Sequence, residues 1–220
     1  MLSYPKIETL FNRDDKTHKV RDGEIRLPEF ANVKNWWTTE KIDGTNLRLT
    51  YVKGQPVEIN GRTDNADLPR PLLEYLVKTF PVEKFTTAFS DIKDNPLVTL
   101  YGEGYGPRIN TGENYRTDGF SFRLFDVRVG EWWLEPQNIA DVATKMGIKT
   151  VPAVGVMTLE DAVAFIKSKP RSRVTMEENP TRENTTMEGI VARSHPLMLR
   201  RNGERVIWKL KVKDFSGMSP

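Results

Sequence analysis

The sequence predicts an α+β fold in which antiparallel sheets are flanked by helices, and three observations point that way. Short runs of β-branched and aromatic residues are joined by hairpin-length turns, other segments carry helix start and stop signals, and strands and helices do not alternate with the rhythm of a parallel sheet. Taken in order, Trp36 to Glu40, Asn46 to Val52 and Val57 to Asn60 are expected as strands, the last two joined by a Lys53-Gly54-Gln55-Pro56 turn. Leu68 to Ile92 reads as helix broken at Pro81, with Pro71 suited to a first helical turn. Leu97 to Tyr105 and Phe120 to Val129 return to strand character, and Gly130 turns the second into Glu131 to Leu134. Helices are expected at Pro136 to Met146, closed by Gly147, and at Leu159 to Lys167, where Thr158 and Asp161 have capping-box spacing. Gly189 to Arg193 and Arg205 to Val212 complete the strands. Trp132 and Trp133 are expected to pack a strand, and no role is evident for the first thirty residues.

Composition narrows the function classes. A chain of 220 residues, 38% hydrophobic and 29% charged, is long enough to bury a substantial core and is expected to form a single domain over residues 1–220. No run approaches the roughly 20 apolar residues of a membrane span, and no signal-peptide core is evident. With no Cys, disulfides, thiolate metal sites and thiol nucleophiles are excluded, and the cytoplasm is the default compartment. His18 and His195 stand too far apart and too poorly accompanied to suggest a metal site. The net charge is only +3, yet a pI near 9.0 leaves room for a basic face towards a polyanion. Arg193, Arg200, Arg201 and Arg205, followed by Lys209, Lys211 and Lys213, concentrate positive charge near the C-terminus, where a solvated face is the simpler alternative.

Site chemistry is concentrated in five segments. Lys41 ends an apolar strand directly before Ile42, Asp43 and Gly44, a setting for a lysine that attacks as the neutral amine, with Trp36, Trp37 and Ile42 as an apolar wall. The plainer alternative is a hairpin turning at Asp-Gly. Tyr101-Gly102-Glu103-Gly104-Tyr105-Gly106 sets a carboxylate between glycines, without the Lys-Ser/Thr of a P-loop. Phe120 to Asp126 alternates aromatics that pack a core or stack on a base. Met187 to Arg193 starts a strand with Glu188. Trp208 to Lys213 alternates so that Lys209, Lys211 and Lys213 are expected on one strand face, mutually repelling unless an anion such as a triphosphate lies between them.

Together these segments resemble the ordered motifs of the covalent nucleotidyltransferases, the superfamily of ATP-dependent ligases and mRNA capping enzymes. Glu40-Lys41-Ile42-Asp43-Gly44-Thr45-Asn46, Tyr101-Gly102-Glu103, Leu124-Phe125-Asp126, Glu188-Gly189-Ile190-Val191 and Lys209-Leu210-Lys211 are most similar to the RNA ligases, in the branch with the second bacteriophage T4 RNA ligase and the RNA-editing ligases. The match runs from about residue 36 to 215. The resemblance implies a nucleotidyltransferase (adenylation) domain of ATP-grasp-like type. It implies that Lys41 attacks the α-phosphorus of ATP and holds AMP as a phosphoramidate, that AMP passes to a 5′-phosphate end, and that a 3′-hydroxyl displaces it.

Roles follow residue by residue from the same resemblance. Glu40 and Asn46 help fix the adenosine, Phe125 stacks on adenine and Arg62 contacts ribose or phosphate. Glu103 and Glu188 bind ribose or, with Asp43, hold the waters of a Mg²⁺ or Mn²⁺ ion. Lys209 and Lys211 neutralise the α-phosphate and the departing pyrophosphate. Arg108, Arg116 and Arg193 are candidates for gripping RNA phosphates. The implied partner is RNA with 5′-phosphate and 3′-hydroxyl ends, with further contacts open to an accessory protein; the implied compartment is the cytoplasm, that of the host if the chain is phage-encoded. Two departures qualify the match. Asp43 stands where many RNA-editing ligases have His, and only five residues follow Phe215, so no OB-fold is expected within the chain. The adenylation domain of a DNA ligase, a capping-type guanylyltransferase and a catalytically silent nucleic-acid-binding module are the alternatives.

Overall fold

The computed structural model describes residues 3–64 and 66–216. They divide into two compact units, one of residues 3–5 with 43–151, the other of residues 6–42 with 152–216. Both are α+β with predominantly antiparallel sheets, as expected; each sheet also carries one short parallel strand.

In the first unit the strand order is Lys149–Thr150, Ser121–Val129, Val98–Tyr105, Thr45–Tyr51, Glu58–Asn60, with Trp132–Trp133 also pairing with Ser121–Val129. Three helices, Arg70–Thr79, Val82–Ala88 and Pro136–Lys145, form where the proline signals place them, with Pro71 and Pro136 in the first turn. Because side chains alternate along a strand, Leu47, Leu49, Leu100, Phe122 and Leu124 share one core with Leu72, Leu76, Phe80, Phe85, Ile139 and Val142. The alternate positions supply the polar face: Arg48 pairs in register with Tyr101, and Tyr101 with Asp126, while Asn46 pairs with Glu103 and Glu103 with Arg123. Both patterns coexist because the register shifts at Phe125, where the pairing steps from Tyr101↔Asp126 to Gly102↔Leu124.

The second unit has the order Glu8–Thr9, Ile207–Lys211, Gly189–Ser194, Trp36–Lys41, Ala153–Met157. Helix Leu159–Lys167 is capped as its sequence predicts, Thr158 accepting the Asp161 N–H. Trp36, Ile190, Ala192, Trp208 and Leu210 meet Leu10, Phe30, Ala162 and Ile166 in a separate core, with the two indoles 5.4 Å apart in edge-to-face contact.

Several expectations need correction. No hairpin turns at Asp-Gly: Trp36–Lys41 and Thr45–Tyr51 belong to different sheets, because the chain leaves one unit for the other between Ile42 and Asp43. Trp36 does not wall Lys41; it lies five residues away, on the opposite sheet face, fully buried against Phe30 and Trp208. Trp37 sits at the same far end of the strand, beside His195. Lys213 leaves the lysine row, since the strand stops at Lys211 and residues Val212–Phe215 form a 3₁₀ turn in which Asp214 accepts the Lys211 N–H. Trp133 packs against Tyr4 and Tyr101, but Trp132 is 78% exposed. The N-terminal region, unread in the sequence, contributes strands Glu8–Thr9, Phe11–Arg13 and Val20–Ile25 and helix Pro28–Ala31. Strand Ala153–Met157 and helix Arg173–Glu178 were likewise not anticipated. No helix among the described residues is long and apolar enough to cross a membrane.

The placement of Trp36 yields a stability expectation. Trp36→Ala should lower the unfolding free energy by about 3 to 5 kcal/mol, measured by urea denaturation; Trp37→Ala, at a partly buried position, should cost clearly less.

Candidate active site

Lys41, Gly189 and Lys211 form one row across three strands, because Gly189 is in register with Lys41 on one side and with Lys211 on the other. Their side chains share the sheet face opposite the Trp36 and Trp208 core. Gly189 lets the neighbouring strand approach closely in that row: a Cβ there would fall 2.2 Å from the Leu210 carbonyl oxygen and 2.8 Å from the Lys211 Cα. Glu188, just before the strand, sends its carboxylate between the two lysines. Oε2 accepts from Lys41 Nζ at 2.6 Å and Oε1 pairs with Lys211 Nζ at 2.5 Å, all three side chains being at most 22% exposed. The Glu188 carbonyl also receives the Val212 N–H at 2.9 Å, which fixes the backbone from which the carboxylate projects. Lys209 is in register with Val191, one pair along the same face.

Glu40 is 1% exposed and fully engaged. Its carboxylate accepts from Ser172 Oγ at 2.6 Å, Arg173 N at 2.9 Å and Val174 N at 3.3 Å, satisfying the opening N–H groups of helix Arg173–Glu178. Arg173 is tied down further through Nη1 to the Ala153 carbonyl. The residue before the candidate nucleophile is therefore an anchor point in this unit.

The first unit groups Asp43, Gly44, Asn46, Glu103 and a loop following strand Val98–Tyr105. Glu103 Oε1 accepts the Gly44 N–H at 3.1 Å, and a Cβ on Gly44 would lie 2.3 Å from the Gly104 carbonyl oxygen, so this turn lies tight against its neighbour. The loop grips the same turn: Asn110 Nδ2 donates to the Gly44 carbonyl at 2.5 Å, Thr111 Oγ1 to Asp43 Oδ2 at 2.8 Å, and the Tyr115 hydroxyl accepts the Asp43 N–H at 3.1 Å. Asn46 Oδ1 is enclosed without a hydrogen-bond partner among the described residues. An enclosed carbonyl oxygen in that condition is an acceptor suited to a ligand N–H or O–H.

Arg62 is exposed on a loop held from beneath by Arg48, which is 1% exposed. Arg48 donates through Nε to the Gly61 carbonyl at 2.9 Å and through Nη2 to Asp64 Oδ1 at 2.5 Å, and this bond holds the Asp64 carboxyl below the usual carboxylate range. Phe125 is partly buried beside Tyr4 and Asp126. Arg108 is exposed, with φ of 65°, and Arg116 is partly buried, with Nε donating to the Asp118 carbonyl at 3.1 Å. Arg193 is 5% exposed, less open than a phosphate-gripping role suggests. Among the described residues no three acidic or histidine side chains gather into a metal-binding group.

Arg48, Asn110, Thr111, Tyr115 and Ser172 were missed in the sequence. Asn110-Thr111-Gly112 has turn character that could have drawn attention; Arg48 and Ser172 carried no such signal.

The profile of the family described as RNA ligase matches residues 34–211 and so takes in every motif named above. The chain belongs to the RNA ligase family. Solved structures agree on the fold of this family member. A Naegleria gruberi RNA ligase variant with ATP and Mn is 17% identical with a TM-score of 0.60, the match covering 95% of this chain and 57% of that one. A second Naegleria gruberi variant with ATP and Mn gives a TM-score of 0.63 at 17% identity, covering 96% and 56%. The Naegleria gruberi RNA ligase with PPi gives 0.60 at 18% identity, covering 94% and 61%. The RNA ligase family chain thus spans well under two thirds of the length of these proteins. No curated protein sequence matches it.

The close approach at Gly189 is testable by itself. Gly189→Ala should lower stability by about 1 to 3 kcal/mol through overpacking against backbone, read from thermal or urea unfolding, whereas Gly54→Ala, where nothing lies within 4 Å, should lose less, its positive φ of 84° being the remaining strain.

Proposed function

We propose that the chain is an ATP-dependent RNA ligase that carries AMP on Lys41, passes it to a 5′-phosphate RNA end and seals that end to a 3′-hydroxyl, its two units serving one nucleotidyltransferase domain. The observation that most supports this reading is the Glu188 carboxylate lying between Lys41 Nζ at 2.6 Å and Lys211 Nζ at 2.5 Å. A lysine used only for structure needs one partner; here one carboxylate joins two lysines that stand on either side of a glycine in the same row.

In the first step Lys41 Nζ forms a bond to the α-phosphorus while the bond from that phosphorus to the β-phosphate bridging oxygen breaks, releasing pyrophosphate. As an ammonium paired with Glu188, Nζ has no lone pair, so attack requires it first to lose a proton. Starting from the ammonium, Nζ sheds one proton before attack, for which Glu188 is the adjacent base, and a second as the N–P bond forms. Lys211 and Lys209 on the same face neutralise charge on the α-phosphate and the leaving group.

Asn46 Oδ1 supplies an enclosed acceptor for the nucleoside, Phe125 an aromatic surface for adenine, and Arg62 a cation for ribose or phosphate. Glu40 acts through its hold on helix Arg173–Glu178, fixing the strand end at Lys41. Asp43, Glu103 and Glu188 are hard oxygen donors of the kind Mg²⁺ or Mn²⁺ prefers, and with no preformed cage among the described residues they would hold it through its waters. Such an ion supplies neutralisation of phosphate charge. AMP transfer to the RNA 5′-phosphate and its displacement by the 3′-hydroxyl reuse the same lysines, with Arg108 and Arg116 proposed for RNA phosphates and the buried Arg193 no longer among them.

Incubation with α-labelled ATP and Mg²⁺ should leave an acid-labile label on the protein, with no label from GTP and none on Lys41→Ala. Chasing the adduct with a nicked 5′-phosphate RNA duplex should release the label and give a sealed strand, in preference to the DNA equivalent. Label retained by Lys41→Ala, or label from GTP alone, would sink the proposal. Glu188→Gln should slow adduct formation by about 10- to 100-fold, measured in the same assay.

A further inference from the structure

Tyr4 lies in the shortest segment of the first unit, residues 3–5, yet it is only 6% exposed and touches the aromatic cluster around Phe125. Its ring centroid is 5.1 Å from that of Phe125 at an interplanar angle of 74°, 5.0 Å from Tyr101 and 5.8 Å from Trp133. Its hydroxyl donates to Asp126 Oδ2 at 2.8 Å, and Asp126 is fully buried. Tyr4 is thus pinned at both ends of its side chain. Phe125 needs such a neighbour. It occupies the register shift between Tyr101↔Asp126 and Gly102↔Leu124, where the extra residue of a bulge is left out of the ladder and its side-chain direction is not set by a cross-strand partner. An edge-to-face contact fixes the tilt of the ring and covers at most one of its faces.

We infer that Tyr4 is a positioning residue for nucleotide recognition, holding the partly buried Phe125 at the tilt in which its ring stacks on the base. The inference rests on the proposed stacking role of Phe125 and extends the site to the N-terminal segment.

Titration calorimetry with ATP and with pyrophosphate separates this role from a merely structural one. Tyr4→Leu should weaken ATP binding about fivefold and leave pyrophosphate affinity unchanged, because pyrophosphate has no base to stack. Tyr4→Phe, which keeps the ring but loses the anchor on Asp126, should weaken ATP about twofold. In a Phe125→Ala background neither substitution should weaken ATP further. Equal loss for ATP and pyrophosphate, or an undiminished effect of Tyr4→Leu in the Phe125→Ala background, would overturn the inference. Should Tyr4→Leu not fold, Tyr4→Phe decides by the same criteria, an unchanged ATP affinity counting against it. If Phe125→Ala itself binds ATP as tightly as the parent, the stacking role fails first; if Phe125→Ala weakens ATP and the Tyr4 variants do not, only the role of Tyr4 fails.

Discussion

One carboxylate compensating two lysines is the interaction on which the second unit's chemical face depends. Lys41 and Lys211 stand on either side of Gly189, two strand spacings apart, or about 9.6 Å between backbones. Glu188 reaches both, and it can do so because it precedes the strand and is not bound by the alternation within it. The apolar side of the same strands, with Trp36, Ile190, Trp208 and Leu210, supplies the burial that keeps the row flat and in register. Charge is unevenly shared as well. The unit containing this row has 20 Lys and Arg against 15 Asp and Glu, whereas the other has 13 against 15, so the unit carrying Lys41 is the more cationic of the two.

The first unit solves a related problem with different materials. Its sheet faces helices on one side and therefore presents polar and aromatic groups on the other, but a polar face holds its geometry only when each group is tied. Arg48 anchors the loop bearing Arg62, Glu103 holds the Gly44 amide, and Asn110, Thr111 and Tyr115 secure the turn at Asp43. Asn46 Oδ1 stands apart from these satisfied groups.

Legibility in the sequence followed the range of the physical signal. Strands with period-two alternation and helices with a proline start or a Thr158-Asp161 cap are written in adjacent residues, and they formed within one or two positions of expectation, except that the helix expected to reach Ile92 ends at Ala88. The motif residues were legible for the same reason, since Lys41 and Asp43, or Lys209 and Lys211, are separated by one residue. What escaped notice was held by distant partners: Ser172 reaches Glu40 across 132 positions, Tyr4 reaches Asp126 across 122 and Thr111 reaches Asp43 across 68. Lone polar residues of that kind leave no periodic trace. Trp36 is close to Lys41 in sequence but not in space, because alternation turns it to the opposite sheet face. Alternation places Lys213 with Lys211 only while the strand lasts, and Asp214 marks its end by accepting the Lys211 N–H.

The burial of Glu40 bears on how Lys41 moves. Its carboxylate is clamped by Ser172, Arg173 and Val174, its N–H donates to the Pro152 carbonyl at 2.9 Å, and Lys41 pairs with Gly189 in the ladder. The backbone at Lys41 is thus held in place, and any change in the position of its amine relative to Glu188 comes from rotation about the four methylene groups of its own side chain. That motion reorders a handful of torsions rather than a loop, so Lys41 can be parked and released without loosening the sheet that carries it.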